Sequence, residues 1–246
     1  VNVGDSQDST LELIHSISSP KIKIIQNKWD FSKGEEVLSR ETNLALGKCR
    51  GDWAFYLQSD EVVHEKDLPV LLKIMHRHLT NPEVDCLRFK WLHFFGSFYR
   101  YRIDAGWFQK EDRIIKNNGQ IESYSGAFGF RRKDGKPLRR FKTDCFIYHY
   151  GWVQPPNIMT ERRVNAENIG FTNLASEERG KDYEYGDIKR FPVYFGTHPA
   201  VMREKVLSHQ LSNQDWQDIT RKYWWSPLKI FRVRYKTFKR TRSRIS

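Results

Sequence analysis

Short strand-like runs alternate with segments of helical period in the front third of the chain. The strand-like runs are 1–3, 21–26 and 52–57, and apolar residues recur at helical spacing in 11–17, 35–48 and 66–79. This order of strands and helices is typical of βαβ units. It predicts an α/β fold with a Rossmann-like, mostly parallel sheet flanked by helices.

The pattern changes from residue 84 onward. Residues 84–95 (VDCLRFKWLHFF) predict a long strand, whereas 96–150 are aromatic, basic and punctuated by glycine, with no helical period. We expect this stretch to form an added mixed β region packed on one edge of the sheet. C-terminal helices are expected at 157–169, 199–211 and 213–224. The chain is therefore divided into an α/β half (1–95), the remainder of the same domain (96–225) and a basic tail (226–246).

Composition narrows the class of protein. The 246 residues carry a formal net charge of +12, and aromatic residues make up 14% of the chain, which is ample material for a core. No apolar run approaches the roughly 18 residues of a spanning helix. The three cysteines are odd in number and far apart, and no secretory signal is visible. A cytoplasmic, reducing location is expected.

An acidic turn follows the third strand-like run. Asp60 and Glu61 stand at its carboxyl end, where open α/β sheets bind their ligands. Carboxylates there suit a hard cation, which commonly takes one or two protein carboxylates together with phosphate oxygens. The other interpretation is that Asp60 or Glu61 only caps the following helix.

A second polar turn follows the first strand. Asp5 and Asp8 lie in this turn, directly before a predicted helix whose N-terminal amides attract anionic or polar ligands. Asp5 can accept hydrogen bonds from a nucleobase, and Asp8 can accept them from a sugar. Simple capping of the helix by Ser9 or Asp8 is the competing interpretation.

Taken together, the motifs of 1–95 resemble those of family 2 glycosyltransferases with the GT-A fold. That family has a V-D-x-S-x-D-x-T strand end, an Asn before a small apolar step, a Gly-Asp pair and an L-D-A-D-E turn. The matching residues are Val3, Asp5, Ser6, Asp8 and Thr10, then Asn43-Leu44-Ala45, Gly51-Asp52 and Leu57-Gln58-Ser59-Asp60-Glu61. Weaker similarity to a bacterial subgroup extends through 148–152 and 195–199.

The chain departs from the family pattern in two places. Gln58 replaces the first carboxylate of D-x-D, so Asp60 is the residue that matches a metal ligand. In the family, a further strand and helix precede the first motif and complete the nucleotide pocket. We therefore expect the natural chain to have more residues before Val1.

The resemblance implies transfer of a sugar from a nucleoside-diphosphate sugar to a glycan or lipid-linked acceptor, with inversion and with Mg²⁺ or Mn²⁺. The cation offsets charge on the leaving diphosphate, and a carboxylate deprotonates the acceptor. The expected metal residues are Asp60, Glu61 and His149. The expected nucleotide-sugar residues are Asp5, Ser6, Asp8, Arg40, Asn43, Gln58 and Ser59.

The catalytic base is expected after the long middle strand. The candidates are Asp104, Glu111, Asp112 and Glu122, of which Asp104 and Glu122 are retained. Aromatic residues surround Asp104, and such surroundings can raise the pKa of a carboxyl group and stack on a sugar. A surface carboxylate in a hairpin is the competing interpretation for each of them.

Three histidines are further candidates, and His149 and His198 have two interpretations each. His149 stands among aromatic residues, where a hydrogen-bonded core histidine is the common case. Its functional interpretation is a further ligand for the metal or the diphosphate, and His198 has the same two interpretations. His93 ends the predicted strand 84–95 and is expected to approach the acceptor.

The C-terminal stretch Lys229–Ser246 contains eight Lys or Arg residues and no acidic residue. It suits an anionic membrane surface, which would place the enzyme on the inner face of the membrane beside lipid-linked acceptors. A solvated tail is the other interpretation. The charge also fits a nucleic-acid-binding module. The sequence contains no recognised nucleic-acid-binding motif, however, and a nucleic acid is not expected as a partner. A catalytically inactive, glycosyltransferase-like scaffold is a third hypothesis.

Overall fold

The computed structural model describes residues 1–4, 6, 8–104, 107–168, 170 and 180–209. Within them, the helices are α1 (Thr10–Ser16), α2 (Glu36–Leu46), α3 (Leu68–Arg77), α4 (Pro156–Asn168) and α5 (Arg203–Ser208). The strands are β1 (Asn2–Val3), β2 (Ile25–Gln26), β3 (Trp53–Phe55), β4 (Glu61–Val63), β5 (Cys86–Phe95), β6 (Tyr101–Arg102), β7 (Lys110–Lys116), β8 (Ile121–Tyr124), β9 (Gly129–Arg132) and β10 (Arg140–Trp152).

The predicted helices of the front third are confirmed: α1 is shifted by one residue from the prediction, and α2 and α3 are shorter than predicted. In α3, Pro69 occupies the first turn, where its missing N–H costs no hydrogen bond, and the basic residues His76 and Arg77 lie in the last turn. Leu71 of α3 is buried against the sheet, whereas Leu68 and Leu72 stay exposed. The predicted helix 157–169 is observed as α4 up to Asn168, and the described part of 199–211, which ends at residue 209, contains a 3-10 turn followed by α5.

The α/β class is confirmed, but the sheet is mixed. Six strands form the main sheet, in the order β3-β7-β5-β10-β4, with β6 also paired to β5. Only β5 and β10 are parallel in it, and β1 with β2 forms a separate parallel pair. The remaining pair is the antiparallel hairpin β8–β9.

The expectation that 96–150 packs on one edge of the sheet is wrong. Strands β7 and β10 come from this stretch, and they flank β5 in the centre of the sheet. The reason lies in β5, whose residues are all buried or half-buried. Its backbone hydrogen bonds are satisfied by β7 at one edge and by β10 at the other, and both of these strands come from the chain after β5.

α2 is attached to the β1–β2 pair by polar contacts. Glu41 is buried and accepts hydrogen bonds from the side-chain amides of Asn2 at 2.9 Å and Asn27 at 2.7 Å. This carboxylate therefore joins α2 to Asn2 of β1 and to Asn27, the residue directly after β2.

Two apolar clusters pack along β5 and β10. Leu87, Phe89 and Ile147 pack with Leu71 of α3 in one cluster. In another, the rings of Phe94 and Tyr150 stack with centroids 4.9 Å apart. Strands β5 and β10 thus carry a rigid core along most of their length, which fixes the side chains at their ends.

The predicted helix 213–224 and the basic tail 226–246 lie outside the described residues. Among the helices of the described part, none combines the length and the apolar composition that crossing a membrane requires.

Candidate functional site

The acidic turn after β3 leads into β4, which brings it to β10. Glu61 of β4 is directly opposite His149 of β10, so Asp60 lies at the same end of both strands. Nε2 of His149 lies 3.4 Å from Oδ2 of Asp60. The backbone carbonyl of Asp60 also accepts a hydrogen bond from the amide of Tyr150 at 2.8 Å. Two residues predicted as metal ligands therefore meet at this point.

Arg162 of α4 completes this end of the site. Its Nη2 donates to Oδ2 of Asp60 at 3.2 Å, and its Nη1 donates to the carbonyl of Gly151. Burial by itself would raise the pKa of Asp60, but the hydrogen bond and charge of His149 and the charge of Arg162 outweigh it, so the pKa is lowered. The Asp60 carboxylate is therefore ionised at neutral pH.

A second histidine lies behind His149. Nδ1 of His93 is 3.0 Å from Nδ1 of His149, and Nε2 of His93 is 2.6 Å from the carbonyl oxygen of Phe108. Burial lowers the pKa of His93 to about 3. His93 is only 3% exposed, and both of its ring nitrogens face protein atoms, so the structure leaves neither nitrogen for an acceptor.

Glu61 points into the fold. Its carboxylate accepts hydrogen bonds from Nε and Nη2 of Arg113 at 2.9 and 2.7 Å. It also accepts a hydrogen bond from the backbone amide of Gln58 at 3.2 Å. The side chains of Glu61 and Arg113 are 0% and 1% exposed. Glu61 therefore holds the turn in shape, and Asp60 and His149 are the predicted metal residues that the structure brings together.

The four candidate bases differ in surroundings. Arg102 is bound to Asp104 and lowers its pKa, which is opposite to the expected rise. Glu122 lies on the β8–β9 hairpin and pairs with Arg131 at 2.9 Å. Neither carboxylate has a contact to Asp60 or His149 among the described residues.

Glu111 and Asp112 lie next to each other on β7. Asp112 is bound by Arg88 at 2.7 Å and by Arg140 at 2.9 Å, so its charge is neutralised. Burial raises the pKa of Glu111 to about 7, because Arg113, 3.8 Å away, compensates it only in part. Glu111 is thus the candidate whose pKa suits a general base near neutral pH.

The polar turn after β1, which carries the first family motif, lies only partly within the described residues. Asp5 lies outside the described residues. The carboxylate of Asp8 accepts hydrogen bonds from Oγ of Ser6 at 2.6 Å and from the backbone amide of Thr10 at 3.0 Å. These hydrogen bonds lower the pKa of Asp8 to about 2. Asp8 thus contacts the first turn of α1, in keeping with the capping interpretation.

The other predicted nucleotide residues lie on α2 and the acidic turn. Asn43 exchanges two hydrogen bonds with the backbone of Ser123, at 2.9 and 2.7 Å, which fixes α2 against β8. Arg40 and Ser59 are exposed. The side chain of Gln58 is half-buried and donates to the hydroxyl of Tyr56 at 3.2 Å.

His198 belongs to the aromatic core. Nδ1 of His198 is 2.9 Å from the hydroxyl of Tyr150, and its ring lies 4.9 Å from that of Phe94. Burial lowers the pKa of His198 to about 4. The core interpretation therefore accounts for His198.

Sequence reasoning missed Arg162 and the role of Gly151. Arg162 is separated from Asp60 by 102 residues, and no motif around it marks a site. A Cβ atom on Gly151 would overlap Oδ2 of Asp60 and stand 2.9 Å from Nε2 of His149. Only glycine leaves room there for both side chains, and its place directly after His149-Tyr150 was the available signal.

The donor set for a cation is small. The described part of the chain contains no group of three or more metal-ligating side chains. Asp60 and His149 supply one carboxylate oxygen and one imidazole nitrogen, and hydrated Mg²⁺ or Mn²⁺ bound to a substrate phosphate commonly uses one or two protein ligands. The pair therefore fits such an ion.

Comparison with known proteins identifies the family. The family model for glycosyl transferase family 2 matches residues 3–136, more than half of the chain. Asp60 lies within the match, and His149 and Arg162 lie beyond it. A search of curated proteins finds no match. The match implies the GT-A fold and glycosyltransferase activity, and the chain belongs to glycosyl transferase family 2.

Proposed function

We propose that this glycosyltransferase moves a sugar from a nucleoside-diphosphate sugar to a glycan or lipid-linked acceptor, with inversion, assisted by a divalent cation at Asp60 and His149. The observation that carries the proposal is the meeting of Oδ2 of Asp60 and Nε2 of His149 at 3.4 Å. Asp60 lies in the turn that resembles the D-x-D motif of the family, directly before the edge strand β4, and His149 lies on the neighbouring β10.

The chemistry of the two side chains favours Mn²⁺ over Mg²⁺. An imidazole nitrogen suits a transition ion better than it suits Mg²⁺, which prefers oxygen ligands. When bound, the cation supplies positive charge against the leaving diphosphate. The ionised Asp60 carboxylate attracts the cation, and the absence of a carboxylate at Gln58 weakens its affinity.

Arg162 provides a fixed positive charge beside the same carboxylate. Because its guanidinium is permanently charged and forms directional hydrogen bonds, it suits an oxygen of the diphosphate. The exposed Ser59 and the side chain of Gln58 are assigned to the ribose, and Asp5, Ser6, Asp8 and Arg40 to the nucleotide. Asn43 contributes by holding α2 in place.

We assign the catalytic base to Glu111 in preference to Asp104 and Glu122. A base that works near neutral pH needs a pKa near 7, and burial gives Glu111 that value. Arg113 connects Glu111 to Glu61, the residue next to Asp60. Glu111→Gln is expected to lower kcat with little change in donor KM, whereas Asp104→Asn and Glu122→Gln are expected to retain most of the wild-type kcat. If only Asp104→Asn or only Glu122→Gln lost kcat, the residue changed in that variant would be the catalytic base instead of Glu111.

The proposal is tested by donor-dependent turnover with UDP- and GDP-sugars, with and without Mn²⁺. Asp60→Asn is expected to reduce Mn²⁺-dependent turnover by more than about 100-fold while thermal unfolding stays cooperative. The matched control is Asp182→Asn, an exposed aspartate outside the family motifs, which is expected to have full activity. Full activity in Asp60→Asn would remove this residue from the mechanism.

The same samples separate the competing hypotheses. Thermal stabilisation by a nucleotide sugar together with Mn²⁺ supports the transferase. Salt-sensitive binding of oligonucleotides without that stabilisation would favour the basic nucleic-acid module. No response to either ligand would favour an inactive scaffold. Co-sedimentation of the full chain with anionic vesicles tests the proposed peripheral membrane location of the basic tail.

A further inference from the structure

We propose that four cations on one face of the main sheet form a binding site for a compact, soluble anion that carries phosphate groups. The four residues, called the cationic face below, are Arg88 and Lys90 on β5, Lys110 on β7 and Lys142 on β10. The proposal goes beyond the transferase reaction and does not depend on it, because it concerns the binding of an anion with no metal and no donor sugar present.

Strand register places these four side chains next to one another. Lys90 is the direct partner of Lys110 on β7, and Arg88 is the direct partner of Lys142 on β10. Directly paired residues project from the same face of a sheet, and so do residues two positions apart on one strand. The four side chains therefore project from one face, around the central strand β5.

The cationic face is opposite to the face of the candidate active site. His93 is three residues after Lys90 on β5, so its side chain projects from the other face of the sheet. His149 is the direct partner of His93 and projects from that other face as well. An anion bound over β5 would therefore have the sheet between itself and His149.

The carboxylates that contact these cations are already paired. Asp112 is shared between Arg88 at 2.7 Å and Arg140 at 2.9 Å, so one negative charge serves two guanidinium groups. Asp144 pairs with Lys90 at 2.5 Å, but its side chain is 90% exposed, where water weakens the attraction. Positive charge is therefore in excess on this face.

Lys110 and Lys142 carry this excess. Neither side chain has an ion pair or a hydrogen bond within the described part of the chain. Burial lowers the pKa of Lys110, and the charge of Lys142 is the next largest cause, ahead of the charges of Arg88 and Lys90. Lys142 acts this strongly although β5 lies between its strand and β7. The two ammonium groups therefore converge over β5.

The size and depth of the cationic face favour a small anion with several oxygen atoms. Neighbouring strands lie about 4.8 Å apart, and residues two positions apart on a strand about 7 Å, so the four side chains can surround one or two phosphate groups. Lys90 is only 8% exposed, and the side chain of Arg88 is 28% exposed. A compact anion can enter to these recessed charges, whereas the flat surface of a bilayer cannot. Guanidinium and ammonium groups are the usual partners of phosphate.

A bound anion should stabilise the folded chain. Like charges paired directly across strands destabilise a sheet, and an anion between them replaces repulsion by attraction. The unfolded chain does not hold the four cations together, so the anion binds the folded state in preference. Pyrophosphate is therefore expected to raise the midpoint of thermal unfolding at low ionic strength, and the shift should shrink as salt is added.

Isothermal titration of the full chain with pyrophosphate, at pH 7 and with EDTA, tests the site directly. We expect saturable binding in the wild type. The double variant Lys110→Gln/Lys142→Gln is expected to bind pyrophosphate about 100-fold more weakly, because each lost charge-assisted contact accounts for about 10-fold. The matched control is Lys73→Gln/Lys136→Gln, which removes two exposed lysine charges elsewhere and should bind as the wild type does.

Each other result would overturn the proposal. No pyrophosphate binding by the wild type would show that the cationic face is only a solvated surface. Equal loss of affinity in both double variants would show that net charge alone matters. Wild-type affinity in Lys110→Gln/Lys142→Gln would assign the anion to another part of the chain, such as Arg162 or the stretch Lys229–Ser246.

Co-sedimentation with phosphatidylglycerol vesicles distinguishes a lipid headgroup from a soluble anion. Lys110→Gln/Lys142→Gln is expected to co-sediment as the wild type does, because the recessed cations do not reach a bilayer. Loss of co-sedimentation in this variant but not in Lys73→Gln/Lys136→Gln would make the cationic face a membrane contact and overturn its assignment to a compact anion. Because neither measurement uses a donor sugar or a metal, an inactive wild type would contradict the proposed function and leave this inference standing.

Discussion

Gly151 lies directly against the carboxylate of Asp60. A Cβ atom at position 151 would overlap Oδ2 of Asp60 and crowd Nε2 of His149, while the carbonyl of Gly151 accepts a hydrogen bond from Arg162. A single residue without a side chain therefore makes room for the three charged or ligating groups of the site. The requirement is for space, since the backbone of Gly151 is not in the left-handed region.

Gly151→Ala is expected to displace the Asp60 carboxylate and to weaken Mn²⁺ binding nearly as much as Asp60→Asn does. The physical reason is steric overlap with the oxygen atom that faces His149. Isothermal titration with Mn²⁺ measures the effect. Gly47→Ala is the control, because its Cβ would meet its nearest atom at an ordinary 3.5 Å. Unchanged Mn²⁺ affinity in Gly151→Ala would contradict the placement of the ion at Asp60.

Arg162→Met is expected to change metal binding and turnover in opposite directions. Nη2 of Arg162 is 3.2 Å from Oδ2 of Asp60, so its positive charge competes with a cation there. Removal of the charge should strengthen Mn²⁺ binding to the free enzyme. The same change should lower kcat/KM for the donor by about 10-fold or more, because the guanidinium also faces the diphosphate in the proposed mechanism. Parallel losses in both measurements would show that Arg162 serves only to hold the fold.

Local patterns were sufficient to predict the helices and the acidic turn. The apolar period of α2 and α3 and the turn at Asp60 are encoded by residues close together in the chain. The family motifs lie in the same local segments, so the sequence alone was sufficient to indicate the resemblance. The family match over residues 3–136 agrees with it.

Strand order and long-range pairing were not predictable in this way. Nothing in the alternation of β7 or β10 specifies that they flank β5, since a strand pattern does not name its partner. The same limit explains Glu61 and Arg162. Glu61 is bound by a residue 52 positions away and Asp60 by one 102 positions away, and single-sequence periodicity contains no information at those separations.

The buried pair of Glu61 and Arg113 leads to a prediction about stability. Arg113→Met is expected to lower the free energy of unfolding by about 3–5 kcal/mol, because it leaves the Glu61 carboxylate buried without its partner. Adding Glu61→Gln should recover part of that loss, since the second change removes the uncompensated charge. Urea unfolding of the two single variants and the double variant measures the coupling. A double variant that is less stable than Arg113→Met would contradict this explanation.

Lys110 and Lys90 are direct partners on neighbouring strands, which places two positive charges opposite each other. Burial, together with the charges of Lys142, Arg88 and Lys90, lowers the pKa of Lys110. Because the folded state disfavours the charged form, Lys110 destabilises the protein while it is protonated, and the penalty disappears as the pH rises from below the folded pKa to above the unfolded one.

Lys110→Gln is therefore expected to raise the free energy of unfolding by about 0.2–1 kcal/mol at pH 7. The gain should shrink as the pH approaches the unfolded lysine value of about 10.4, because the wild-type penalty is lost there. Urea unfolding at pH 7 and at alkaline pH measures the difference. Lys73→Gln, on the exposed surface of α3, is the control and should change stability little at either pH. A destabilised Lys110→Gln would show that this lysine has a favourable role that outweighs the cost of its burial and its repulsion from the neighbouring cations.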